Sequence, residues 1–446
     1  MKRLMQWLGF VVLITFTGCQ SQPVHEVMLP PTPKAKPPIA EVMEEDAPSG
    51  ASLRAVAWQE IPPEVFQDEA LHTWVEALKQ SATYYKRIPA DQEFQFGSLK
   101  INAARMREVT RELAELAATG DTEALERTLK ERYRLYRSVG GNSKGNILVT
   151  GYFEPLLHGS TTPSKRYFYP IYRRPPELVD AGSGHGYRVV KGKRVPYYTR
   201  AEIDDPFLRK PPPKAPDPKA KEKGKGKTVK KKPAHPTPPS GALAGRGLEL
   251  VWVDNAIDAF FLHIQGSGRV RMEDGRILRI GFDGANGQPY KAVGQILIDE
   301  KEIPHQEMTM PRLRRWLEEH PLEQRRLFFA DRSYVFFHEL KGDAVGNINV
   351  PLTKDRSIAT DHRLFPRGAP GILSTTLPNM DPDGKTVTGW RQNFRFVVNQ
   401  DTGGAIRGPG RVDLFFGFGE LMEYQAGVMK QNGSRLYFIA PRPGVS

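Results

Sequence analysis

From Ile147 onward the chain is written in short apolar segments of four or five residues, cut by recurring Gly, Pro, Asn and Asp. Leu250-Val251-Trp252-Val253, Tyr334-Val335-Phe336-Phe337, Ile348-Asn349-Val350 and Phe394-Arg395-Phe396-Val397-Val398 are examples. Segments of that length, rich in Val, Ile and aromatic residues and bounded by turn formers, predict strands. The preceding part has a different period. Leu71, Trp74, Val75 and Leu78 recur at three- and four-residue spacing after Pro63-Glu64-Val65-Phe66. So do Met106, Val109, Leu113 and Leu116, then Leu125, Leu129, Tyr133 and Tyr136. These stripes predict amphipathic helices whose apolar faces are core. A mainly β body with N-terminal helices follows, and its length of about 390 residues exceeds what one core organises, which predicts two domains.

The extreme N-terminus lies outside that body. Lys2 and Arg3 precede an apolar run from Leu8 to Phe16 that ends in Thr17-Gly18-Cys19. A charged n-region, an h-region too short to span a bilayer and a small residue at its end read as an export signal. Phe16-Thr17-Gly18-Cys19 resembles the bacterial lipoprotein signal. The resemblance implies removal of residues 1–18, lipidation of Cys19, and an exported protein without disulfides, because Cys19 is its single cysteine. Gln20, where an aspartate would favour inner-membrane retention, implies the periplasmic face of the outer membrane. Residues 19–52, with Pro30-Pro31-Thr32-Pro33 and Pro37-Pro38, have too few large apolar side chains to fold and read as an extended tether.

A second segment departs from the body. Residues 209–232 hold ten lysines and one arginine against Asp217 and Glu222, which accounts for nine of the net charge of +13. Prolines punctuate both ends, so about 209–240 reads as a disordered loop, either a solvated insertion or a polycation for acidic polymers or lipid. No aromatic residue interrupts the charges, which argues against nucleic acid.

Common catalytic signatures fail. Ser267 lacks the flanking glycines of a nucleophile elbow. His263 has no helical partner for zinc, and one cysteine builds no thiolate site. Gly226-Lys227-Thr228 lacks the first glycine of a phosphate loop. Asp381-Pro382-Asp383-Gly384 lacks the later ligands of a calcium loop and reads as a hairpin turn. No metal or cofactor is expected.

What remains is a cluster of acids beside glycine-bent backbone. Asp401 opens Asp401-Thr402-Gly403-Gly404, Asp413 closes Gly410-Arg411-Val412-Asp413, and Asp361 lies upstream in Thr360-Asp361-His362-Arg363. Clustered carboxyls of this kind serve glycosidic-bond chemistry. Two further segments combine aromatic faces and planar polar groups suited to sugar rings: Thr150-Gly151-Tyr152-Phe153-Glu154, and Asp258 through Gln265-Gly266-Ser267-Gly268. Tyr169-Pro170-Ile171-Tyr172 shares the texture but reads first as edge-strand packing.

Together these segments resemble the membrane-bound lytic murein transglycosylase A family, with its Gly-Tyr-aromatic-x-Pro and Gln-Gly-Ser-Gly segments and its C-terminal 3D domain, over about residues 60–440. The resemblance implies a double-psi β-barrel built from 53–154 and 343–446, a second β-barrel-like domain inserted at 155–342, and a groove between them. It implies cleavage of peptidoglycan glycan strands to 1,6-anhydromuramyl products by one aspartate acting as acid and then base. It admits other cell-wall enzymes as partners. It puts the catalytic acid at Asp413, with Asp401 and Asp361 supporting. Substrate-binding positions then fall at Thr150, Gly151, Tyr152, Phe153, Glu154, Asp258, Gln265, Gly266, Ser267, Gly268, Gly403 and Gly404. The residues alone add that a general acid needs a raised pKa, and that Asp413, between Val412 and Leu414-Phe415-Phe416, has the most apolar sequence neighbours. Asp401 and Asp361 could equally tie turns. A wall-binding lipoprotein without chemistry, and a hydrolase with Asp401 or Glu154 as second carboxylate, are the rival readings.

Overall fold

The computed structural model describes residues 51–142, 144–180, 186–208, 241–404 and 406–444. The signal segment, Cys19, nearly all of the tether and the lysine-rich segment 209–240 lie outside the described residues.

Six strands close into a barrel. Around the ring they run Lys430–Pro441, Pro370–Met380, Val387–Asp401, Ser357–Ala359, Arg411–Phe418 and Ile147–Glu154, and the last pairs back with the first. Two neighbours are parallel, Ser357–Ala359 with Val387–Asp401 and Arg411–Phe418 with Ile147–Glu154, so the ring is not a simple meander. Closure removes the open edges that the flat form of such a sheet would expose. Tyr133–Ser138 adds outside Lys430–Pro441, and Leu53–Val56 adds outside that.

Strand alternation divides the apolar residues between two cores. Val149, Ile358, Leu373, Val397, Val412 and Leu414 belong to one, with Phe438. Ile372, Phe396, Val398 and Ile439 belong to the other, under the N-terminal helices. Helix Leu71–Arg87 buries Leu71, Trp74, Val75 and Leu78 there, and Trp74 stacks on Phe396 at 4.3 Å. It ends at Ile88, whose extended backbone is what a following proline enforces. Asn102 caps Ala103–Ala118 by accepting from Arg105 N, and Asp121 caps Thr122–Arg132 by accepting from Ala124 N.

Three expectations change at this level. The third helical stripe overruns its helix, because Tyr133 and Tyr136 sit in strand Tyr133–Ser138, where the same spacing serves alternate faces. Ile348-Asn349-Val350 is not a strand: it bends inside a loop closed by the Val345–Pro351 bridge, with Asn349 at φ 54°. The stretch around Asp258 and Gln265 is a helix, Ala256–Gln265, capped by Asn255 and ended by Gly266 at φ 80°. The hairpin at Asp381 is present, with the carboxylate accepting from Lys385 N and Thr386 N.

A second sheet has the order Val335–Glu339, Ile277–Ala285, Ser267–Met272, Leu156–Ser160, Glu249–Val253, Tyr169–Tyr172. Tyr169–Tyr172 is its edge strand, where Pro170 costs no central ladder bond. Helices Ala256–Gln265 and Met310–Glu319 and the segment around Phe328 share one apolar cluster, with Phe260 stacked on Phe328 at 4.3 Å. Strand Ile147–Glu154 runs through Pro155 directly into Leu156–Ser160, so a single stretch of chain passes from barrel to second sheet.

Candidate active site

Strand Arg411–Phe418 lies between Ser357–Ala359 and Ile147–Glu154, with Asp413 opposite Ala359 on one side and Thr150 on the other. Val412 and Leu414 are wholly buried. Asp413 shares the opposite face with Arg411, two residues back. The Thr150 hydroxyl donates to Asp413 Oδ1, and Arg411 Nε reaches the same oxygen at 3.3 Å. Among the described residues Oδ2 has no hydrogen-bond partner, and the side chain keeps 17% of its surface exposed. The apolar setting expected of Asp413 is therefore corrected. Its sequence neighbours point to the other face of the strand, and a hydroxyl and a guanidinium stand beside it.

Asp401 ends the long strand on the far side of Ser357–Ala359, so that Ala359 pairs with Asp413 on one side and with Asp401 on the other. Its Oδ1 accepts from Thr402 N at 2.8 Å and Asn347 N at 2.9 Å, and its Oδ2 from Tyr152 OH at 3.0 Å. Desolvation pushes its pKa up to about 6; the three donors pull the other way, and the charge of Asp413 adds to the rise. Tyr152 lies on the same face of its strand as Thr150, packs on Phe415 with ring centroids 5.1 Å apart, and has its phenol raised by burial and by Asp401.

Asp361 is wholly buried, and both oxygens are taken. Arg363 grips them through Nε at 2.9 Å and Nη2 at 2.7 Å, and Gly408 N donates to Oδ2 at 2.9 Å. The Arg363 guanidinium holds its carboxyl far below the usual range. Asp361 thus ties the 402–410 loop to the barrel.

The remaining positions divide. Gly151 sits under helix Glu420–Gly427, where a Cβ would lie 2.7 Å from Ala426 Cα, so only glycine fits. Phe153 is core, and its N–H donates to Gln265 Oε1 at 3.1 Å, which fastens the barrel strand to helix Ala256–Gln265. Glu154 is buried against Arg269, at 3.2 Å from Nη2, with desolvation raising its pKa. Asp258 accepts from Arg314 at 2.6 Å, and the same arginine bonds Glu423. Gly266 caps a helix, Ser267 and Gly268 start the following strand, and a Cβ on Gly268 would meet Leu262 at 2.5 Å. Gly403 O accepts from Ile406 N and Arg407, shaping the loop after Asp401, and Gly404 is exposed in it. Thr150, Tyr152, Asp401 and Asp413 are therefore brought together; Glu154, Asp258 and Gln265 join secondary elements to one another.

Two residues escaped the sequence reading. Arg411 was signalled by its two-residue offset from Asp413 on a strand. Tyr290, 46% exposed, comes from the second sheet's side and lies within electrostatic reach of Arg411 and Asp413. Its loop is pinned by Asn286, which accepts from Tyr334 N and donates to Tyr198 O and Arg332 O. Among the described residues no group of three or more His, Cys, Asp or Glu side chains is placed to hold a metal ion.

A closed barrel carrying Asp413 and Asp401 on either side of Ser357–Ala359, continued into a second sheet, defines a two-part β protein with an acidic site. The 3D domain model matches residues 356–439, and the MltA specific insert domain model matches 148–217 and 214–338. The chain belongs to the membrane-bound lytic murein transglycosylase A family. The family member of that name from Escherichia coli K12 is 28% identical over 332 residues, 74% of either chain. A membrane-bound lytic murein transglycosylase from Agrobacterium tumefaciens superposes with a TM-score of 0.67 at 26% identity, covering 88% of this chain and 98% of that one. The lytic transglycosylase LtgG of Burkholderia pseudomallei is 30% identical with a TM-score of 0.50, covering 90% and 98%.

Proposed function

We infer that this chain is a lytic transglycosylase that cleaves the β-1,4 bond between N-acetylmuramic acid and N-acetylglucosamine in peptidoglycan, with Asp413 as its single proton shuttle. The observation that carries the assignment is the state of the carboxylate oxygens. Asp401 and Asp361 have both oxygens engaged by protein donors, whereas Asp413 is held through Oδ1 alone and keeps Oδ2 free. A general acid must reach the glycosidic oxygen, so an unengaged oxygen on a fixed carboxyl is the arrangement required.

In the first half of the reaction the Asp413 proton passes to the leaving oxygen of the N-acetylglucosamine unit as the bond to the anomeric carbon breaks. In the second, the sugar's own 6-hydroxyl attacks that carbon and gives its proton to the Asp413 carboxylate. The acid is regenerated, no water is consumed, and a 1,6-anhydro ring is left on the muramyl product. Tethering of the nucleophile replaces what a bound water and a second carboxylate supply in ordinary glycosidases. Thr150 and Arg411 orient Asp413. Asp401 lies across Ala359 from Asp413 and holds the Tyr152 phenol on the same side of the site.

Glu154 is held by Arg269 through Oε2 and its Oε1 is buried out of reach of a sugar, while both oxygens of Asp401 are engaged, which supports this reading over a two-carboxylate hydrolase. Mass spectrometry of products from purified sacculi tests it. Anhydro-muropeptides are expected, and Asp413→Asn is expected to abolish them. Hydrated reducing ends would favour the hydrolase, and uncut strands a binding lipoprotein.

The relatives are membrane-bound murein enzymes, which supports an envelope location. Among the described residues no helix is long and apolar enough to cross a membrane. Anchoring through lipidated Cys19 at the periplasmic face of the outer membrane is part of the proposal. It requires that Cys19→Ser abolish fatty-acid labelling and release the protein from the membrane fraction; retained labelling would exclude Cys19 as the anchor.

A further inference from the structure

The loop that leaves Asp401 is flanked by three arginines grouped around His362, a face that the cleavage chemistry does not use. His362, Arg363 and Arg407 are exposed and Arg367 is half-buried. His362 approaches Thr402, whose hydroxyl donates to Thr360 O at 2.8 Å, so this face and the Asp401 loop are one piece of backbone. Four charged neighbours are felt at the His362 ring. Three are Arg363, Arg367 and Arg407, and the fourth is Asp361, which is buried and already gripped by Arg363.

The Arg407 guanidinium is held by carbonyls, which position it without cancelling its charge. Arg407 donates to Ile406 O at 2.8 Å and Gly403 O at 3.1 Å. Arg367 is fixed through its backbone: its carbonyl accepts from Tyr85 OH at 2.8 Å, and Gly368, at φ +80°, is packed against Tyr84 and Tyr85. Arg87, on the far side of Tyr84, donates to Ile348 O and Asn349 O. The charged residues of this face are arginines on short segments, and desolvation lowers the pKa of the His362 ring between them. Planar guanidinium forks suit discrete carboxylates, which they can engage through paired hydrogen bonds.

We propose that the face formed by His362, Arg363, Arg367 and Arg407 binds the free carboxylates of the stem peptides that branch from muramoyl residues, next to the point of cleavage. The proposal rests on the transglycosylase reading for its substrate. A strand drawn past Asp413 carries a peptide on every second sugar, and the arginine face adjoins the loop that separates Asp401 from Asp413.

The test is sedimentation of the full chain carrying Asp413→Asn, which leaves the strand uncut, with intact sacculi and with sacculi stripped of peptides by an amidase. Tighter binding to intact sacculi at low salt is expected, and raising the salt should weaken that preference. Adding Arg367→Gln should reduce the preference roughly three- to tenfold, the effect of one charge-assisted hydrogen bond, while Arg367→Lys retains part of it. Equal binding to both sacculi would overturn the proposal, as would an Arg367→Gln loss that is the same on both. A loss confined to phosphatidylglycerol vesicles would replace it with a membrane-surface role. Because sedimentation needs no turnover, the anhydro-product assay on the unsubstituted chain judges the transglycosylase reading separately.

Discussion

Asp401 makes a sharp prediction because its burial works against stability. Its carboxyl is pushed from 3.8 to about 6, chiefly by desolvation, despite three hydrogen bonds to the charged form. A group whose folded pKa lies above its unfolded value contributes stability in full below the unfolded pKa and loses it as pH rises through the folded one. Ionised Asp401 therefore costs the fold about 3 kcal/mol at neutral pH, with the loss developing between pH 4 and 6. Asn at this position removes the charge and keeps the bonds: its Oδ1 can accept from Thr402 N and Asn347 N, and its amide can donate to the Tyr152 hydroxyl. Allowing for imperfect re-pairing, Asp401→Asn should stabilise the protein by about 1–3 kcal/mol above pH 7, roughly 1–4 °C in Tm, and by nothing near pH 4. Thermal unfolding of both proteins from pH 4 to 8 measures the gap. A pH-independent difference, or a less stable variant at pH 7, would refute the reasoning by showing that the hydrogen bonds outweigh desolvation.

Glu154→Gln keeps an oxygen that can accept from Arg269, which also retains Asp343, and the products should remain anhydro-muropeptides; hydrated ends from the parent that vanish in the variant would instead make Glu154 a catalytic carboxylate. Gly151→Ala forces a Cβ to within 2.7 Å of Ala426 Cα and 2.9 Å of the Phe416 ring, and should cost about 1–3 kcal/mol as helix Glu420–Gly427 is displaced. Denaturant unfolding reads that cost, and an unchanged midpoint would mean that the helix is free to shift.

The Gly-Tyr segment, the Asp-Thr-Gly-Gly turn and the Arg-Val-Asp strand were legible as motifs because each packs several uncommon local requirements into a few residues. Gly151 is dictated by a backbone passing at contact distance, and Asp413 by a strand face. Their roles were less legible. Judging Asp413 by Val412 and Leu414 treated neighbours in sequence as neighbours in space, which strand alternation forbids. Asp258 and Gln265 were read as sugar ligands because Asp and Gln suit hydroxyls, but their partners, Arg314 and the Phe153 N–H, lie 56 and 112 residues away. Helix Ala256–Gln265 was hidden because it is short and its Phe260-Phe261-Leu262 run reads as a buried strand as readily as a helix, leaving its Asn cap and terminal Gly as the distinguishing signals. Tyr290 had no local signal of function at all, since what it faces is set by tertiary packing.

The ring of six strands has a consequence for when the enzyme comes into being. Thr150 and Asp413 are 263 residues apart in the chain, and the strand that carries Thr150 finds its remaining antiparallel partner only in Lys430–Pro441. Contacts of that separation form late, after the intervening loop entropy has been overcome. A chain interrupted before Lys430 lacks the strand that closes the ring onto Ile147–Glu154 and holds the Thr150 strand from its other side. The power to cut the wall therefore arrives with the last strand, as a property of completed assembly.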